Sequence, residues 1–121
     1  MGDASCLHRL LKRREFDLLD SHGSQDLWAA AAALKLGRHA LPLIYTRHNT
    51  KRVVFHPLNR FLYRNLVNHL IVASSSVLER YEPFLRHGDL DRARISVVHS
   101  SYWEERFHPG VKPAPLRREM G

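Results

Sequence analysis

Cysteine is almost missing from this chain of 121 residues: Cys6 stands alone. No internal disulfide can form, which suits a reducing compartment. Apolar residues never run to the roughly 18 that a membrane-crossing helix needs. Residues 1–6 hold no apolar core of a secretory signal. The expected location is cytoplasmic, with peripheral attachment to the inner face of the membrane left open. Glycine is scarce as well. There is no Gly-x-Gly-x-x-Gly and no Walker A lysine loop, and Gly23 alone does not make a nucleotide loop. The Gly-x-Ser-x-Gly elbow of the serine hydrolases is also missing. Nine histidines would suit a metal, but none has the spacing of a helical His-Glu-x-x-His or of a Cys/His site. No metal and no cofactor is therefore expected.

Negative charge is the other shortage. Nineteen Lys and Arg face twelve Asp and Glu, a formal balance of +7. Lysine occurs only at Lys12, Lys35, Lys51 and Lys112, so arginine carries most of it. The balance points to an anionic partner: nucleic acid, a phosphorylated substrate or an anionic membrane.

What is present alternates between two periods. Leu7, Leu10 and Leu11 sit among basic residues at helical spacing over 7–14. Such a segment is either a membrane-surface helix or an ordinary surface helix of an α/β domain, and the second is favoured. Residues 16–19 read as a short strand that opens into a polar loop over 20–26. Ser24 is the expected cap of a helix running through Leu27, Trp28 and the alanines 29–33, with Gly37 as its stop. Residues 41–45 read as the next strand, with Pro42 near its start. Leu58, Phe61, Leu62 and Leu66 then predict an amphipathic, cationic helix over 57–67. Residues 69–73 read as a third strand. One of Ser74, Ser75 and Ser76 caps a helix over 77–85, with Glu79 suited to its positive end and Pro83 able to shorten or bend it. Residues 94–98 read as a fourth strand leading into His99, Ser100 and Ser101. Short apolar strands separated by long crossovers argue for a parallel sheet flanked by helices.

In such a sheet the carboxyl ends of the strands share one edge, where ligands bind. Those ends offer His22, Ser24 and Gln25; Arg47, His48 and Asn49; Ser74 to Ser76; and His99, Ser100 and Ser101. Hydroxyl-rich ligands need many directional partners, and arginine grips phosphate with two bonds. The cleft therefore suits sugars and phosphates. A lone histidine at a strand end is ordinarily a cap or surface residue, but repetition at successive ends favours function.

The ordered series Phe16-Asp17-Leu18-Leu19-Asp20-Ser21-His22-Gly23, Thr46-Arg47-His48-Asn49-Thr50, Leu70-Ile71-Val72-Ala73-Ser74-Ser75 and Ile95-Ser96-Val97-Val98-His99-Ser100, closing on Arg106-Phe107-His108-Pro109, resembles the amino-terminal half of the family 4 glycosyltransferases. The likeness spans about residues 15–110. It implies a Rossmann-like α/β domain, one of two that face across the cleft of a GT-B enzyme. It implies that residues 1–110 form part of the acceptor-side domain and that 111–121 begin the linker towards an absent donor domain. His48 falls where relatives place a histidine that reaches the transferred sugar. His22, Gly23, Ser24, Arg47, Asn49, Ser74, Ser75, His99, Ser100 and Ser101 fall on the substrate side. The implied reaction moves a hexosyl group from a nucleotide-sugar to a sugar or phosphorylated acceptor, with retention. Relatives usually read Gly-Val-Asp where this chain has Ser101-Tyr102-Trp103, and catalysis by this stretch alone is not expected.

A second class of function stays in view: a basic, non-catalytic module for nucleic acid or an anionic surface. Nucleic acid is the less expected partner, because the aromatics do not interleave with basic residues as in a stacking platform. No helix-turn-helix or zinc-finger spacing is present either. A regulatory remnant that kept the fold is the third reading.

Overall fold

The computed structural model describes residues 2–99, 101 and 110. The motif over 102–109 and the linker expected over 111–121 lie outside the described residues.

The chain opens with helix α1, Gly2–Arg13, which has Asp3 in its first turn and Lys12 and Arg13 in its last, each charge matched to the helix dipole. Its apolar stripe is used: Leu11 is buried and Leu7 packs on the core. Strand β1 follows at Leu19–Ser21, later than the apolar run 16–19 predicts. Phe16 and Leu18 stay exposed. Pairing, rather than hydrophobicity, sets this strand: Leu19 lies opposite Leu43, Asp20 opposite Ile44 and Ser21 opposite Tyr45.

Helix α2 is Ser24–Gly37. Its N-cap is Gly23, in extended conformation and without a side-chain cap; Ser24 is the first helical residue, not the cap expected for it. Asp26 folds back over that end, so a Cβ on residue 23 would collide with its carboxylate. The far end also departs from expectation. Gly37 remains helical, and it is Arg38 that turns left-handed, with φ of 53°. The Arg38 N–H donates to Lys35 O at 3.3 Å and the His39 N–H to Leu34 O at 3.0 Å, the paired bonds of a Schellman stop.

Strand β2 is Leu43–Arg47, helix α3 is Pro57–Asn65 and strand β3 is His69–Val72. The helix expected over 77–85 is broken into α4 (Ser75–Leu78), a 3-10 turn (Glu79–Tyr81) and α5 (Glu82–Arg86). Pro83 is the cause. It has no N–H for the Glu79 carbonyl and its ring would strike that group, so it sits in the first turn of α5 instead. A 3-10 turn over Arg92–Arg94 leads into β4, Ile95–Val97.

The four strands are parallel and lie in the order β1-β2-β3-β4. Right-handed crossovers between neighbours in unbroken order put all three connections on one face. The strand residues confirm it. Ser21, Leu43, Tyr45, Arg47, Leu70, Val72 and Ile95 share that face and are all buried. Alanines 30, 31 and 33 with Leu27 and Leu34 press α2 against it. Asp20, Ile44, Thr46, His69, Ile71 and Ser96 share the opposite face, and of these only Thr46 is buried.

The core is rich in aromatic contacts. Tyr63 meets Tyr81 and Phe84 edge-on at centroid distances of 5.4 and 5.0 Å. Several arginines act as fasteners. Arg60 donates through Nε to buried Asp89 Oδ2 at 2.7 Å, while Arg64 Nε lies 3.3 Å from Oδ1 without hydrogen-bond alignment. Arg94 donates to the carbonyls of Tyr63, Val67 and Asn68.

Candidate active site at the carboxyl edge of the sheet

The parallel register brings the ends of β1 and β2 together at one edge. Asp20 and Thr46 point to the open face of the sheet, and a hydroxyl there needs an acceptor. Thr46 Oγ1 donates to Asp20 Oδ1 at 3.0 Å. Two residues beyond Asp20, His22 comes out on the same side, as the period of a strand requires. Its Nε2 lies 3.2 Å from Asp20 Oδ2. Its Nδ1 lies 2.9 Å from Nε2 of His48, just past the end of β2. The two rings stack at 5.2 Å with 14° between their planes.

This chain of contacts fixes protons. An ionised carboxylate only accepts, so neutral His22 carries its proton on Nε2 and presents a bare Nδ1. That nitrogen accepts from His48 Nε2–H. The Nδ1 of His48 is then left with a lone pair: a hydrogen-bond acceptor on an exposed ring at the sheet edge. The arrangement can hold a sugar hydroxyl at a set position or take its proton.

Arg47 behaves differently from its neighbour. It is the last residue of β2, on the covered face, and is 5 % exposed. Its Nε donates to Asn49 O at 3.3 Å, Nη1 to Tyr45 OH at 3.3 Å and Nη2 to Lys51 O at 2.6 Å. It therefore clamps the loop after β2. Its CZ also lies 5.9 Å from the ring of Tyr81. Burial works against its charge, but the phenols of Tyr81, Tyr45 and Tyr63 outweigh that and hold its pKa above the ordinary value. Burial pushes the Tyr63 phenol up to about 12. Tyr81 is raised further, by burial first and then by Tyr63. At neutral pH these phenols are uncharged.

Ser24, exposed at the start of α2, has its hydroxyl 3.3 Å from Tyr45 OH. Gly23 is the extended N-cap. Asn49 accepts from Lys51 N–H through Oδ1 at 3.3 Å, tightening the same loop. Ser74 is occupied as the N-cap of α4: its Oγ accepts from Val77 N–H at 3.4 Å and lies 2.9 Å from Ser76 Oγ. Ser75 is exposed in the first turn of α4. His99 and Ser101 are exposed after β4, and Ser100 lies outside the described residues. The structure thus joins His22 to His48, and Ser24 to Arg47 through Tyr45. It gives Ser74 a structural task.

Sequence reasoning missed Asp20, Thr46 and Tyr45. Asp20 was legible: an acid two residues before a histidine at a strand end shares its face. Thr46 and Tyr45 lay inside an apolar run and gave no signal of their own.

Among the described residues no helix is long and apolar enough to cross a membrane. No group of three His, Cys, Asp or Glu there could hold a metal ion. No curated protein matches the chain. The family model described as Glycosyltransferase Family 4 matches residues 1–106. With that match and a four-stranded parallel α/β sheet, the chain belongs to glycosyltransferase family 4.

Proposed function

We propose that this chain is the acceptor-side part of a retaining hexosyltransferase that uses a nucleotide-sugar, with His48 at the transferred sugar. The observation that supports it is the Asp20–His22–His48 chain at the carboxyl edge of the sheet. Such a chain leaves His48 Nδ1 as an acceptor for a hydroxyl of the hexose. In the transfer, the bond from the anomeric carbon to the nucleoside diphosphate breaks. The bond to the acceptor oxygen forms on the same face, and the acceptor's proton leaves with the diphosphate. Donor binding is assigned to a domain outside this chain, so the chain alone does not turn over.

Titration calorimetry with UDP-, GDP- and ADP-hexoses tests the division of labour. No heat of binding is expected from any of them. Tight binding of one would place the donor site within these residues and overturn the acceptor-side assignment.

A second reading concerns the surface on which the acceptor is met. Val54, Leu58 and Phe61 are exposed beside Lys51 and Arg52. Apolar side chains next to cations suit an anionic lipid surface better than nucleic acid. Co-sedimentation with phosphatidylglycerol vesicles but not phosphatidylcholine vesicles is the expected result. Equal recovery with both would count against it.

A further inference from the structure

Arg47 has a charge that the protein leaves unanswered. Among the described residues, the carboxylates in ion-pair contact with cations are Asp20, with His22, and Asp89, with Arg60 and Arg64; none lies within 4.0 Å of Arg47. A guanidinium carries five N–H donors. Three are used, on Asn49 O, Tyr45 OH and Lys51 O. Two have no protein acceptor. Arg94 also rests on carbonyls, but it is only part-buried, so water serves it. Arg47 is among the core, where an uncompensated cation costs several kcal/mol.

A cavity of about 250 Å³ opens beside it. Its walls come from the first turns of α2, the loop after β2 and the inner side of α3. Lys51 and Arg52 join Arg47 in the lining, and no Asp or Glu does. Ser24 adds a hydroxyl, and Trp28 an apolar wall. Ser24 also opens α2, whose N-terminus has no side-chain cap; unpaired N–H groups and the helix dipole there favour an anion. The cavity is smaller than the usual pocket for a whole cofactor or drug-sized ligand. It has room for one compact oxyanion.

We propose that this cavity is a phosphate-monoester site, in which the two free donors of Arg47 grip the phosphoryl oxygens and Lys51 and Arg52 close over them. It is separate from the histidine pair: Arg47 belongs to the covered face, whereas His48 pairs with His22 at the open one. The two residues are consecutive, so one ligand can reach both, phosphoryl group in the cavity and a hydroxyl at His48. In that sense the site deepens the acceptor-side reading and rests on it for the identity of the ligand, though not for the binding of phosphate.

The test is amide and arginine-Nε NMR of the whole chain titrated with inorganic phosphate, ionic strength held constant with chloride. Saturable shifts are expected at Ser24, Arg47 Nε, residues 51–54 and Asn59. Arg52→Ala, an exposed change that leaves the core alone, should weaken binding about five- to tenfold, the worth of one charge-assisted contact. Arg86→Ala, an exposed arginine on α5, should not. Shifts spread over residues 7–14 without saturation, or equal binding by Arg52→Ala and the native chain, would overturn the site. Glucose 6-phosphate and phosphatidic acid vesicles form the second arm. Preference for the soluble ester assigns a phosphosugar as the source, and preference for the vesicles a lipid headgroup. Phosphate bound here together with a tightly bound nucleotide-sugar would sink the acceptor-side reading and leave the site standing. Failure of both ligands to bind would sink the site alone.

Discussion

A single carboxylate sets the chemistry at the edge of the sheet. Asp20 has no route to any substrate in this arrangement except through His22, so it acts as a positioning residue. Asp20→Asn preserves the shape and removes the strong acceptor. Long-range proton–nitrogen NMR at alkaline pH should show the native His22 as the Nε2–H tautomer, and a mixture of tautomers in the variant. His69, held 2.8 Å from Ser96 Oγ on a distant strand, serves as the unchanged reference. An unaltered His22 would mean that its pairing with Asp20 is incidental. Arg38 offers a second test. A left-handed residue other than glycine costs about 1–2 kcal/mol. Arg38→Gly should therefore raise stability by about 1 kcal/mol in urea unfolding, and Arg38→Ala should not. Sequence reasoning put the helix stop on Gly37 because glycine suits a left-handed turn. The Schellman bonds to Leu34 and Lys35 moved it one place on.

At the scale of the elements, composition and tertiary pairing divide the credit. The helix over 24–37 was readable because five alanines, a leading polar loop and a glycine near its end all agree. Strand β1 was misplaced for the opposite reason. Its apolar run is 16–19, yet the register with β2 selects Leu19, Asp20 and Ser21, two of them polar. No single-sequence pattern reports a partner strand. The close seat of α2 carries its own prediction. Ala33 is fully buried against its surroundings. Ala33→Leu should cost about 1–3 kcal/mol, because a packed core has no room for three more carbons. An unshifted denaturation midpoint would show that the helix can retreat from the sheet.

Across the whole molecule, the buried phenols tie stability to pH. Tyr63 titrates near 12 when folded against an ordinary value of 10.0. The folded state thus keeps a proton that the unfolded chain gives up. This contribution is complete below pH 10 and disappears as pH climbs towards 12, a loss of about 3 kcal/mol. Tyr81 pulls the same way. Stability measured between pH 9 and about 11.5 should fall steeply, and Tyr63→Phe should flatten the slope. A flat native profile would mean that the phenols are reached by water. The fold class was legible in the alternation of short strands and long crossovers. The one-sided burial of the sheet was not, because it depends on strand order, which periodicity does not encode.

The imidazole pair, the loop clamp and the phosphate cavity all lie between Asp20 and Tyr63. One strand–helix–strand unit and the helix after it hold every working part described at this edge. Features scattered over a chain must be inherited together or fail together. Features packed into one contiguous stretch can be duplicated, transplanted or lost in a single genetic step. This stretch therefore has the makings of a cassette, free to be joined to new flanking sequence without being reassembled residue by residue.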